Sequence, residues 1–274
     1  MSSGFNPTGL RDRLRLVCRF TSAICLLVFT LTQAGEVTRS SELERLTHRQ
    51  REARSRFEGA PTDLAAALVF SRACFELAEF ATNSMQRAAL ATVGIAASRQ
   101  VLTLDPTNAA AHCALGLNLG QLARTKTLGA LKIVPQIEAA WLDAARYDPK
   151  YNHAAPHRLL ALLYEGAPGW PISVGSRSAA RTNFLKAVQL APDYADNWLS
   201  YLEVCLDWND LKTARTLIPK AASAMAVARQ KFTAPEWAWE LQDWERRWTA
   251  AQKRLDAAER RARSTPHHQR MKDD

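Results

Sequence analysis

Two histidines, His153 and His157, stand four residues apart, the spacing of two metal ligands on one helix face. A metal site needs further ligands, and no Cys, Asp or Glu joins the pair in sequence. Pro156 lies between them and puts His153 ahead of the helix start, where the spacing loses its geometric meaning. His157 is therefore expected as a packed or loop-contacting histidine, with Arg158 beside it to brace a loop through backbone carbonyls. Asp207 and Asp210 could pair for acid–base work, but they sit at a helix turn, where Asp210 suits the N-cap of a helix starting at Leu211. Cys74, Cys113 and Cys205 lie in apolar helical sequence with no close pair, so buried free thiols are expected; one disulfide of unassigned pairing is the alternative. Gly-x-Ser-x-Gly, His-Glu-x-x-His and Gly-rich phosphate motifs do not occur. The expectation is a protein without catalysis, metal site or cofactor.

The elements around these residues repeat. Pro106, Pro149 and Pro192 each close a helical segment, at Leu104-Asp105-Pro106, Tyr147-Asp148-Pro149 and Leu190-Ala191-Pro192, and both intervals are 43 residues. A fixed period ending in a helix-stopping Pro marks stacked helix pairs, none of which can bury its apolar face alone. Within the units run His112-x2-Leu115-Gly116-x2-Leu119 then Ile137-x3-Trp141, and His157-x2-Leu160-Ala161-x2-Tyr164 then Ala180-x3-Phe184. The third runs Trp198-x2-Tyr201-Leu202-x2-Cys205, then Ala214-x3-Ile218. These positions resemble the tetratricopeptide pattern of large, small and aromatic residues. Thr62 to Phe80 and Ser84 to Leu104 form a preceding pair. From Pro235, Trp237, Leu241, Trp244 and Trp248 make one apolar stripe, suited to a helix that caps the array, with Trp239 off the stripe and expected exposed. The predicted fold is all-α: a tetratricopeptide-like α-solenoid of about four helix pairs plus a C-terminal capping helix.

Segment limits follow. Residues 1–34 read as a signal peptide: Arg11, Arg13, Arg15 and Arg19, the apolar run Phe20 to Leu31, then Thr32-Gln33-Ala34. The rival is an uncleaved N-terminal anchor; a lipid anchor is not expected, because Ile24 and Val17 precede Cys25 and Cys18. Residues 35–60 are expected as a basic linker, 61–234 as the repeat domain, 235–263 as the capping helix and 264–274 as a disordered tail. The formal charge is +9, yet Gly94 to Ala214 is nearly neutral and the excess lies towards both ends. A nucleic-acid partner, which wants a basic stripe beside its reading residues, is not expected. Export to the periplasm is.

Two units are longer than the tetratricopeptide norm, and the surplus lies between their two helices: from Leu119 to Ile137 and from Tyr164 to Ala180. Equivalent turns of adjacent units neighbour each other, so both insertions should emerge on one edge, where repeat arrays often bind. The first, Gln121 to Pro135, is amphipathic and expected to be helical or half-helical. The second, Gly166 to Ser176, is a Gly- and Pro-rich loop around Trp170. Trp170 should pack down as a plug or line a pocket. The candidate ligand-binding residues are Trp170, Pro171, Leu128, Leu131 and Tyr164 as an apolar wall, with Asn118 and His157 as orienting polar contacts. Two functions are open. One is a carrier of a hydrophobic small molecule or peptide under the insertions; the other is a protein–protein adaptor working through the first-helix face.

Several runs resemble a family, the T-component of TRAP transporters. They are Gly116-Leu117-Asn118-Leu119-Gly120, Gly129-Ala130-Leu131-Lys132, Ala155-Pro156-His157-Arg158, Ala167-Pro168-Gly169-Trp170-Pro171 and Leu190-Ala191-Pro192-Asp193-Tyr194. The resemblance covers about Ala109 to Ala214, and the Ala-Pro-Gly-Trp-Pro loop is its most specific part. It implies a non-enzymatic, tetratricopeptide-like periplasmic accessory protein that oligomerises, associates with a periplasmic solute-binding subunit and carries an apolar cavity for a hydrophobic ligand. The chain departs from the family in lacking a suitable lipoprotein Cys.

Overall fold

A computed structural model describes residues 33–126 and 129–264. The expected signal segment up to Thr32, the tail from Thr265 and the candidate residue Leu128 lie outside the described residues. Among the described residues all repetitive structure is helical, with one isolated bridge between Gly169 and Gly175. The helices are α1 (Gln33–Gly59), α2 (Leu64–Glu79), α3 (Ser84–Leu104), α4 (Ala109–Ala123), α5 (Ala130–Tyr147), α6 (Tyr151–Gly166), α7 (Arg177–Leu190), α8 (Ala195–Asp207), α9 (Leu211–Lys231) and α10 (Ala238–Ser264). The predicted all-α array of four pairs, α2/α3 to α8/α9, with a C-terminal helix after them, is what forms. The chain divides into two compact units, up to Lys186 and from Ala187, with the boundary inside α7.

Local chemistry sets the helix ends. Asp63, Asn83, Asn108 and Asp210 cap α2, α3, α4 and α9 by accepting backbone N–H bonds, each worth about 1 kcal/mol against Ala. Asp210 thus has the capping role expected of it. Large polar side chains also tie pairs together. The His112 ring Nε2 lies 2.9 Å from the Pro106 carbonyl, and Trp198 Nε1 donates to the Pro192 carbonyl at 2.6 Å.

The segment 35–60, expected as a linker, is helical. Leu43, Leu46, Gln50, Ala53 and Phe57 recur at three- and four-residue steps and form a narrow stripe on an otherwise charged helix. Leu46 and Ala53 are buried, Phe57 stacks on Phe70 at 5.3 Å, and Arg49 pairs with Glu76 at 2.8 Å. α1 therefore covers the open side of α2, which the end of an array requires. The high charge hid a stripe only one residue wide at each turn.

The first insertion is mostly helix. Gln121 to Ala123 finish α4, and Ala130 to Pro135 open α5, leaving a short connection from Arg124. Trp141 of α5 is buried and donates from Nε1 to the Cys113 carbonyl at 3.3 Å. Phe184 is fully buried at the equivalent place. Both aromatics fill the hole that the pattern reserves for them.

α6 contains the largest irregularity. Asn152, His153 and Ala154 have φ of 43°, 59° and 60°, so one left-handed turn precedes the right-handed helix. Three consecutive non-glycine residues in this region cost about 1–2 kcal/mol each. The turn absorbs two extra residues. His112 and Trp198 each lie six residues after their proline, whereas His157 lies eight after Pro149. The even proline period conceals this offset.

In the second unit α10 seats on α8 through Arg247. Its guanidinium reaches Asp196 at 2.6 Å, Glu203 at 2.9 and 2.8 Å and the Ser200 hydroxyl at 3.0 Å. Burial is the largest single influence and lowers its pKa, but the carboxylates of Asp196, Glu203 and Asp243 together outweigh it and hold the value above the ordinary arginine range. Tyr194, Phe232, Trp237 and Trp244 form an aromatic cluster, and Trp244 and Trp248 are buried. Trp239, expected exposed, is half-buried and engaged.

Candidate functional site

The insertions meet at one end of the first unit. Gln121 and Arg124, at the end of α4, bond to Glu79 at the end of α2, with Arg124 at 3.0 Å. One apolar cluster gathers Leu122, Ile133 and Val134 from the first insertion with Tyr164 and Val174 from the second. The Tyr164 hydroxyl donates to the Glu138 carboxylate of α5; burial, then this bond and charge, push its pKa well above the usual tyrosine range. Leu131 is half-buried on the first turn of α5.

The loop from Ala167 to Ser176 is closed by backbone bonds. Gly175 N–H donates to Pro168 at 2.8 Å, and Ser176 N–H to Tyr164 at 2.8 Å. A Cβ at Gly175 would lie 2.0 Å from the Ala167 carbonyl, so only glycine permits the closure. Within the loop Val174 turns into the apolar cluster. Trp170 turns out and is 89% exposed, with Pro171 also exposed. This corrects the expectation that Trp170 and Pro171 form a plug or a pocket wall. Val174 is the plug. Trp170, Ile172 and Val174 are two residues apart and would share one face of an extended chain; the turn at Trp170 to Ser173 separates them, leaving Trp170 and Ile172 outside and Val174 against the core.

The two polar candidates are also reassigned. Asn118 is fully buried, and its Nδ2 lies within hydrogen-bond distance of Ser71 O at 3.1 Å, Ser71 Oγ at 3.1 Å and Ala114 O at 2.9 Å. Ser71 Oγ also donates to Gly94 O at 2.9 Å and shares a 2.6 Å bond with Ser98 Oγ. Asn118 therefore knots α2, α3 and α4 together and is not available to orient a ligand. His157 is 7% exposed, with Nδ1 3.0 Å from Asn183 Oδ1. Asn183 Nδ2 donates to Ala179 O at 3.0 Å, which leaves its oxygen for the ring and puts the proton on His157 Nδ1. Burial is the main cause that lowers the His157 pKa; Lys186 adds to it, and the Asn183 bond opposes it. His153 lies in the left-handed turn, so the two histidines do not share a helix face.

That turn carries Tyr151 somewhere the sequence did not suggest. The Tyr151 hydroxyl accepts a hydrogen bond from Arg72 of α2, and burial is the main cause that raises its pKa. Tyr151 thus reaches from the mouth of the third pair back to the first. The signal lay in the unequal distances from each proline to the next large residue. Cys74, Cys113 and Cys205 are buried free thiols, and burial pushes Cys74 up to about 11 and Cys113 to about 12. Cys74 and Cys113 therefore stay protonated near neutral pH.

A solved structure with this architecture is TTC0263, described as a thermophilic TPR protein in Thermus thermophilus. The two superpose with a TM-score of 0.53 at 16% identity, over 88% of this chain and 97% of that one. The fold is tetratricopeptide-like. No family model and no curated protein matches the chain.

Proposed function

We propose that this chain is an exported, non-enzymatic adaptor whose first-helix face in the first unit (α2, α4 and α6) takes up a segment of a partner protein. The left-handed turn carries this proposal. It holds Tyr151 onto Arg72 at a standing cost of about 1–2 kcal/mol for each strained residue. Strain of this kind persists where surroundings over-determine it, and it concentrates at clamps and switches. Helical-repeat arrays bind along the surface their first helices build. Val69 and Arg72 are exposed there on α2.

The test is a photo-crosslinking amino acid placed at Val69, which leaves Arg72 in place, or, on the second helix of the same pair, at Val93. A discrete adduct to one envelope protein from position 69 and none from position 93 is expected, weakened by Tyr151→Ala. Equal labelling from both positions, or none from position 69, refutes it. The finer proposal for the partner is a periplasmic solute-binding subunit of a TRAP-type transporter. It rests on the Ala167–Pro171 loop, which Gly175 holds closed, and on the flanking runs that resemble T-components. A hydrophobic small molecule would have to enter beneath the insertions by displacing Val174, so Val174→Trp should abolish any saturable binding of a fatty-acid probe.

A further inference from the structure

The end of the first unit at which its helix pairs turn has a composition of its own. Glu79 bonds place the end of α2 beside the end of α4, and Val174 packs the α6–α7 loop on the cluster that Leu122 of α4 and Ile133 and Val134 of α5 also flank. Among the described residues the two most exposed large apolar side chains, Trp170 at 89% and Met85 at 83%, both project from this end, and Ile172 at 54% joins them. Lys126, Lys132 and Arg177 are exposed there, Arg177 while also engaged in a contact, and Arg39 of α1 stands over the Phe80 ring. The carboxylates nearby are half-buried and engaged: Glu79 with Arg124, Glu138 with Tyr164, and Glu165 with a partner.

We propose that this end docks on an anionic phospholipid surface, with Trp170, Ile172 and Met85 entering the headgroup boundary and Lys126, Lys132 and Arg177 facing the lipid phosphates. Membrane association that lasts takes two signals, an apolar insertion and a basic patch, and this end supplies both. Tryptophan favours the interface because its ring is apolar and its N–H polar. The loop closed at Gly175 presents Trp170 already ordered, so little freedom is lost on docking. Charge separates this occupant from a protein. A hot spot for a protein partner is a cluster of anchors in well-packed, desolvated pockets near the centre of one patch. Here the apolar tips stand on separate connections beside exposed basic side chains, which matches a flat anionic surface. This end is distinct from the face proposed for a partner segment.

The experiment uses the full chain with vesicles of phosphatidylcholine alone or mixed with phosphatidylglycerol. The apolar run Phe20 to Leu31 would contribute equally in wild type and variants, so the differences report this end. Preference for the anionic vesicles is expected. The triple change Lys126→Gln, Lys132→Gln and Arg177→Gln should weaken it about a hundredfold, given the pull on each basic residue near such a surface. Arginine at positions 126 and 132 should preserve it. Brominated lipid should quench an emission component that Trp170→Phe removes. All these sites are exposed, and circular dichroism would confirm that the variants fold. Vesicle binding that is absent, indifferent to lipid charge or unchanged in the triple variant overturns the proposal. So does quenching unaffected by Trp170→Phe. A protein complex lost on Trp170→Ser while vesicle binding stays as before would assign the end to a protein partner instead.

Discussion

Replacing Gly94 and Asn118 separately and together measures how the first two helix pairs are joined. A Cβ at Gly94 would lie 2.3 Å from Asn118 Oδ1 and 2.6 Å from its Cγ, which is not a contact real side chains make. Gly94→Ala should therefore cost about 1–3 kcal/mol of overpacking, offset by up to about 1 kcal/mol from better helix propensity. Asn118→Ala removes the donor to Ser71 O and Ala114 O, at about 1 kcal/mol for each hydrogen bond, and leaves a void besides. Together that is about 2–4 kcal/mol. In the double variant the group that blocked the new methyl is gone, and the methyl fills part of the void. The double variant should then be no less stable than Asn118→Ala alone, a favourable coupling of about 1–2 kcal/mol. Urea denaturation followed by circular dichroism gives the three values, provided the slope is constant. Additivity within about 0.5 kcal/mol would show that the two residues do not share this space and would refute the argument.

His157 makes stability depend on pH. Its pKa is lowered in the folded protein, so between the unfolded value of about 6.5 and that lower value the unfolded chain binds the extra proton. The stability is fully present above the unfolded pKa and is lost as pH falls through the folded one; His157→Gln should flatten the urea midpoint over that window. Gly175→Ala should open the loop at a cost of about 1–3 kcal/mol and speed hydrogen exchange of the Ser176 amide, leaving the Ala111 amide of α4 unaffected. Arg247→Met strands Asp196 and Glu203; with the arginine side chain one-fifth exposed, a loss of about 2–3 kcal/mol in the transition of the second unit is expected, read by the emission of Trp244 and Trp248.

Repetition made the fold legible. Prolines after each pair, small residues where helices approach and aromatics at Trp141 and Phe184 are local facts that stacking can satisfy in one way. The edge that carries both insertions was legible for the same reason. The narrow stripe of α1 was present too, but its charge outweighed it. The roles of the candidate site residues were less accessible. Asn118 reads as a free polar group because Ser71, its partner, is 47 residues away. His157 depends in the same way on Asn183, 26 residues on.

By itself the sequence determined the four pairs, the helix after them and the cap at Asp210, because these follow from period, proline and short-range hydrogen bonding. Only the tertiary structure decided which loop residue turns inward and where the two residues hidden by the even proline period go. The first depends on the fit of Val174, and not Trp170, against the buried cluster of Leu119, Ile137 and Leu163. The second needs the left-handed turn that brings Tyr151 to Arg72. Both outcomes are settled by shape and by partners from distant parts of the chain; the uneven proline distances flag the extra residues without saying where they go.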